Sequence, residues 1–240
     1  MLRRSLLWLL ALALMALFVR AGLWQSGRAL EKDALLAASA SVLAERRPLP
    51  LDEAQAAMPA WVSIDGRFEP LPALRLDNQR RGARVGVQVF RAFRSVDGVR
   101  LWVDIGWRPL PADRRVPEEA PMPDGPFRLQ GLLVPPPAAG LAIGPASSPL
   151  ADGGALALRA EPTVLRAAMT GTAAAGGRER VLDDAVLRLD PAMPLGHERD
   201  LDLLANTLSP DKHRGYALQW FGFAVGLLLL SLFLQFRRRP

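Results

Sequence analysis

The 240-residue chain carries 30 basic and 24 acidic side chains, two histidines and no cysteine, and half of its residues are hydrophobic. The absence of cysteine excludes disulfides, iron–sulfur clusters and thiolate zinc sites, and two histidines exclude a three-histidine zinc centre, so only a carboxylate-rich metal site stays formally open. The isoelectric point near 11.0 does not point to nucleic acid, because residues 25–209 hold 22 basic against 23 acidic side chains. The excess sits in Arg3, Arg4, Arg20, Lys212, Arg214 and Arg237 to Arg239, beside apolar segments, where basic residues set orientation and meet headgroups.

From the N-terminus, Ser5 to Val19 is uncharged between Arg4 and Arg20. Fifteen residues are short for a membrane span, which takes about 20. A signal peptide cut after Val19-Arg20-Ala21 fits loosely. The reading favours a retained span, with Arg20 snorkelling and Ala21 to Trp24 completing the crossing. Helix formers continue to about Leu43 as a stalk, with Leu30, Ala34 and the Leu35/Leu36 pair on one side. Pro48 and Pro50 end it, and Leu51 to Pro59 reads as a short helix or loop opened by Asp52.

The period then changes to two. Val62-Ser63-Ile64 precedes an expected turn at Asp65-Gly66, and Arg84 to Phe93 alternates Val85, Val87 and Val89 against Arg84, Gly86 and Gln88. Asp97-Gly98 predicts a hairpin turn into Arg100 to Trp107, with Leu101, Val103, Ile105 and Trp107 on one face and Trp102 and Asp104 on the other. Phe127 to Val134, Ala155 to Arg159 and Val181 to Leu189 are further strands. Pro109 to Pro126, Pro135 to Pro149 and the Ala-Gly run near Thr170 to Gly177 read as loops. The expected fold is an α+β membrane protein: a transmembrane helix (1–24), a helical stalk (25–47), a β-rich domain resembling a small, partly open barrel (48–208), and a second transmembrane helix with a basic tail (209–240). The positive-inside rule places both termini in the cytoplasm and the β-rich domain outside.

The second span is the most informative stretch. Gly215 to Phe236 is 22 residues without a charge, enough to cross the hydrocarbon core. Ser209-Pro210 is a helix start, a capping hydroxyl followed by proline at the first helical position, so His213 falls in the first turn. Spacings of three, four and seven put His213, Tyr216, Ala217 and Trp220 on one face, along which a flat ligand could lie. An axial nitrogen, an aromatic wall, and Lys212 and Arg214 for acidic groups are what a haem needs. The same residues also make an ordinary interfacial belt. Trp102, Trp107 and Asp104 read first as packing and strand residues, and His197 as a solvent-exposed loop residue. No Gly-x-Ser-x-Gly, zincin or phosphate-loop pattern is present, so no enzyme activity is expected.

Several segments carry a family resemblance: Leu23-Trp24-Gln25 to Lys32; Gly66-Arg67-Phe68 with Asp77-Asn78-Gln79; Asp97-Gly98 leading to Val103-Asp104-Ile105-Gly106-Trp107-Arg108-Pro109; and Asn206 followed by His213, Tyr216-Ala217 and Trp220-Phe221. In their order the chain resembles the surfeit locus protein 1 family of cytochrome c oxidase assembly factors, bacterial type, although Ile105 stands where the family signature has arginine. The resemblance implies an inner-membrane protein with a periplasmic domain, acting on oxidase subunit I with other assembly factors and binding or delivering haem a. It makes His213 the axial ligand of the haem iron, with Tyr216 and Trp220 as its motif neighbours, and Arg214 joins them as the adjacent cation read above for acidic groups. A cofactor-free membrane scaffold is the alternative, with Trp102, Asp104, Gly106 and Trp107 as the contact residues.

Overall fold

The computed structural model describes residues 2–138, 144–170 and 180–237, which leaves the Ala-Gly run beyond Thr170 and the end of the basic tail outside the described residues. The chain divides into two compact units, a helical one of Met1–Ala37 with Thr207–Pro240 and a sheet unit of Ala38–Asn206.

In the helical unit, α1 (Leu2–Glu45) and α4 (Pro210–Arg237) are each long and apolar enough to cross a membrane. They are not core helices of an ordinary soluble fold, since only 6% and 11% of their most apolar windows are buried. α1 runs unbroken through the expected junction of span and stalk. Its leucine stripe is not the packed side: Leu30 is 68% exposed, whereas Gly22 and Ala29 are buried and Gln25 and Lys32 half-buried. Phe18, Gly22, Gln25, Ala29 and Lys32 follow four-three spacing, as do His213, Ala217, Trp220, Ala224, Leu227 and Ser231 on α4. That period makes a seam in which two helices interlock. Trp220 and Phe223 stack against Phe18 at 5.8 and 5.9 Å. Gly22 lies under the ring of Phe221, where a Cβ would stand 2.6 Å from it.

The sheet unit contains α2 (Leu51–Ala56), β1 (Ala60–Phe68), β2 (Leu74–Arg81), β3 (Arg84–Ser95), β4 (Arg100–Pro109), β5 (Phe127–Val134), β6 (Ser147–Pro149), β7 (Ala155–Ala157), α3 (Pro162–Thr170) and β8 (Val181–Leu189). The strand order is β1-β5-β8-β4-β3-β2-β7-β6, and a further β1–β3 pairing at Gly66 to Phe68 joins the two sides. β4–β8 and β2–β7 are parallel, and the other pairs antiparallel. One core cluster, with Val87, Val89, Phe93, Leu101, Val103, Ile105, Leu129 and Leu187, fills one side of the sheet. A second, with Leu74, Phe90, Trp102 and Val186, lies under α3.

Several expected elements need correction. Asp65-Gly66 is not a turn but lies within β1, with Asp65 opposite Arg128 and Gly66 opposite Phe127. Glycine is required there by proximity, because a Cβ would stand 2.2 Å from the Arg94 carbonyl oxygen where β1 meets β3. Proline-rich 135–149 includes β6, and Ala155 to Arg159 is a strand only to Ala157. The N-cap of α2 is Pro50 rather than Asp52, whose carboxylate instead pairs with Arg180. The turn at Asp97-Gly98 has the conformation its sequence demands, with Gly98 at φ +80°.

Candidate functional site

The entry to α4 has the anticipated cap. Ser209 Oγ accepts from the backbone N–H of Lys212 at 3.4 Å, so the capping hydroxyl meets one orphan donor of the first turn, and the His213 N–H donates to the Ser209 carbonyl at 3.2 Å as the first helical bond. His213 is 6% exposed and lies in the helix seam, its Nδ1 2.6 Å from Gln25 Oε1 on α1. Lys32, two turns beyond Gln25 on the same side of α1, reaches Thr207 Oγ1 at 3.0 Å and the Leu208 carbonyl. Arg214 pairs with Asp33 and, at 2.8 Å, with Asp211.

The four expected site residues of this helix do not gather on one open face. His213 and Trp220 lie in the seam, whereas Tyr216 is 41% exposed. Trp220 is engaged by Phe18, so the face expected to receive a flat ligand is covered by α1. Helical spacing alone could not show which partner occupies the stripe. A buried imidazole with one nitrogen already oriented fits an axial ligand. An aromatic wall of Tyr216 and Trp220 around it is not present.

The four candidates on β4 are interior groups. Trp102 and Trp107 are 0% and 1% exposed and Asp104 5%, so they offer no surface for direct contact with a partner. Trp107 also changes face. A bulge opposite Val89/Phe90 leaves Ile105 unpaired in the β3–β4 register, and Gly106 has φ +120°. The extra residue shifts the alternation by one, putting Trp107 opposite Gln88 on the side of Trp102 and Asp104. Its indole packs over Gly86, where a Cβ would lie 2.4 Å from the ring, donates Nε1–H to the Gln79 carbonyl at 3.0 Å, and is covered by Arg84 and Arg81 at 4.9 and 5.8 Å from the ring centre. Burial pushes the Asp104 carboxyl up, against the opposing pull of Arg188 at 3.5 Å, the Gln88 amide and the Gly106 N–H.

These residues belong to a strap that the sequence did not reveal. Residues 190–206 lie across β4 and β2. His197 N–H donates to the Ile105 carbonyl and Trp107 N–H to the Glu198 carbonyl, both at 2.8 Å, and Asn206 bonds Arg80 N–H at 2.7 Å and the Gln79 amide oxygen at 3.0 Å. The Arg199 guanidinium organises the turn by donating to the carbonyls of Asp190, Met193, Leu195 and His197. The quoted motifs therefore converge in two places: Gln25, Lys32 and His213 in the helical unit, and Gln79, Asp104, Gly106, Trp107 and Asn206 in the sheet unit.

His197 is not simply solvent-exposed. Its Nε2 lies 3.0 Å from Glu119 Oε2, and Arg108 holds the other carboxylate oxygen at 2.7 Å, beside an open pocket of about 560 Å³. Burial alone would raise the Glu119 carboxyl, but the hydrogen bonds from His197 and Arg108 outweigh it and hold it below the usual range. A depressed acid contributes stability above its unfolded value of about 4.3, and that stability is lost as pH falls through the lower folded value. The thermal midpoint of Glu119→Gln will therefore lie below wild type near neutrality, and the gap will close in acid. A gap independent of pH would show that the carboxylate does not make this contribution.

Among the described residues no group of three or more His, Cys, Asp or Glu side chains gathers to hold a metal ion. Compared with known families, residues 12–225 match the model of the SURF1 family. No curated protein matches the chain.

Proposed function

The chain belongs to the SURF1 family, that of surfeit locus protein 1, matched over residues 12–225, and from this premise we propose that it is a non-enzymatic assembly factor that holds haem a during maturation of cytochrome c oxidase subunit I. The family is associated with oxidase assembly. α1 and α4 then anchor the protein in a bacterial inner membrane, and the sheet unit works on the periplasmic side beside subunit I and other assembly factors. The observation that carries the cofactor reading is the seam histidine: His213 is buried at the entry to the second apolar helix with Nδ1 held by Gln25. Haem a would supply an iron centre needing an axial nitrogen and a farnesyl tail that prefers lipid. His213 provides the nitrogen. Arg214, already paired with Asp33 and Asp211, is the nearby cation assigned to acidic groups.

Purified full-length protein from cells that make haem a tests this reading through its absorption spectrum and the type of haem extracted. Wild type should carry haem a, and His213→Ala should lose most of it. Equal haem content in the two proteins would overturn the ligand assignment. A second reading, the cofactor-free scaffold, is favoured by two observations: Tyr216 lies outside the seam and Trp220 is engaged by Phe18. On that reading neither protein carries haem a, and oxidase maturation survives His213→Ala.

A further inference from the structure

His213 and Gln25 are the polar pair in an otherwise largely small and apolar seam, and their contact has a direction. The atom facing Nδ1 is the amide oxygen of Gln25, at 2.6 Å. An amide oxygen only accepts, so Nδ1 carries the proton, and in the neutral ring the lone pair then belongs to Nε2. Among the described residues Nε2 has no hydrogen-bond partner. The pair is braced on both sides along α1. Gly22, one turn before Gln25, is closed over by Phe221, and Lys32, two turns after it, is fixed to Thr207 and Leu208 at the start of α4. A polar residue in such a seam also fixes helix register, so Gln25 has little freedom to turn away.

We propose that Gln25 is a positioning residue: its amide oxygen selects the Nδ1–H tautomer of His213 and so presents Nε2 as the free ligand atom of the helical unit. The use of that atom for haem rests on the function proposed above, whereas the tautomer does not. A carboxylate in the same place would orient the ring equally well but would also favour the imidazolium, which cannot bind a metal. Glutamine orients the ring without adding charge.

The test uses full-length protein in lipid nanodiscs, free of haem and labelled with ¹⁵N-histidine; with only two histidines in the chain, His213→Ala assigns the signals. Above the titration of the ring, wild-type His213 should show a protonated-type Nδ1 and an unprotonated-type Nε2. Gln25→Leu should lose this preference, and Gln25→Glu, which keeps the acceptor, should retain it. An Nε2–H tautomer in wild type, or an unchanged one in Gln25→Leu, overturns the proposal. If haem a is bound as well, Gln25→Leu should shift the iron–histidine stretching frequency, and an unchanged frequency would also count against the positioning role. If wild type purified from cells that make haem a carries none, yet its His213 shows the expected tautomer in the nanodiscs, the cofactor reading fails while the role of Gln25 stands.

Discussion

Trp102→Ala will destabilise the sheet unit by about 3–5 kcal/mol, the usual cost of emptying a large aromatic site in a core. The side chain is fully buried among Leu74, Phe90 and the residues of α3. Its Nε1–H donates to the Leu165 carbonyl at 2.8 Å, so truncation also removes this hydrogen bond, a further loss of about 0.5–1.5 kcal/mol. Denaturant unfolding of the purified protein checks the effect, with Trp102→Phe as the control that keeps most of the ring and should lose less. Near-equal stability of wild type and Trp102→Ala would refute the packing role. Loss of oxidase assembly in Trp102→Ala is thus expected from unfolding alone and says nothing about partner contact. Exposed Arg84, whose guanidinium covers Trp107, is a better probe of that surface.

Gly106→Ala will damage the junction between β4 and the strap. The residue has φ +120°, and an added Cβ would stand 2.7 Å from the His197 carbonyl oxygen. Backbone strain of this kind costs about 1–3 kcal/mol, and relief by movement would break the paired bonds from His197 to Ile105 and from Trp107 to Glu198. Gly98→Ala is the comparison: its φ is +80° but nothing lies within 4 Å of its Cβ position, so it carries strain without collision. Denaturant unfolding should rank Gly106→Ala clearly below Gly98→Ala, and limited proteolysis should open residues 194–199 only in the former. Equal stability and equal protection would show that the strap does not depend on Gly106.

Local signals made the hairpin and both long helices readable. Asp97-Gly98 has its conformation built into glycine, Ser209-Pro210 caps a helix whatever lies beyond it, and β5 and β8 run over the residues their apolar pattern marks. β2 was missed because Asp77-Asn78-Gln79-Arg80-Arg81 reads as loop; tertiary pairing overrides that local preference, and a bulge at Asp77-Asn78 with Asn78 at φ 57° absorbs the mismatch. The face of Trp107 was misread because one bulged residue reverses all later alternation, and the residues themselves do not announce a bulge. In the candidate site, spacing put His213 and Trp220 on one stripe, but the covering of that stripe by α1 is a long-range fact. Arg199 had no signal at all, since a guanidinium serving four carbonyls looks in sequence like any other arginine.

The parallel pairing of β8 with β4 imposes an order on synthesis. β4 begins at Arg100 and β8 at Val181, so about 80 residues must leave the ribosome before β4 gains its second neighbour. At about 5–20 residues per second, one side of β4 stays unpaired for roughly 4–16 seconds. During that time the β3–β4 hairpin, the most local pairing in the sheet, presents a bare edge of Arg100 to Pro109 on which another chain can add a strand. The nascent protein is therefore most prone to association between the emergence of β4 and that of β8.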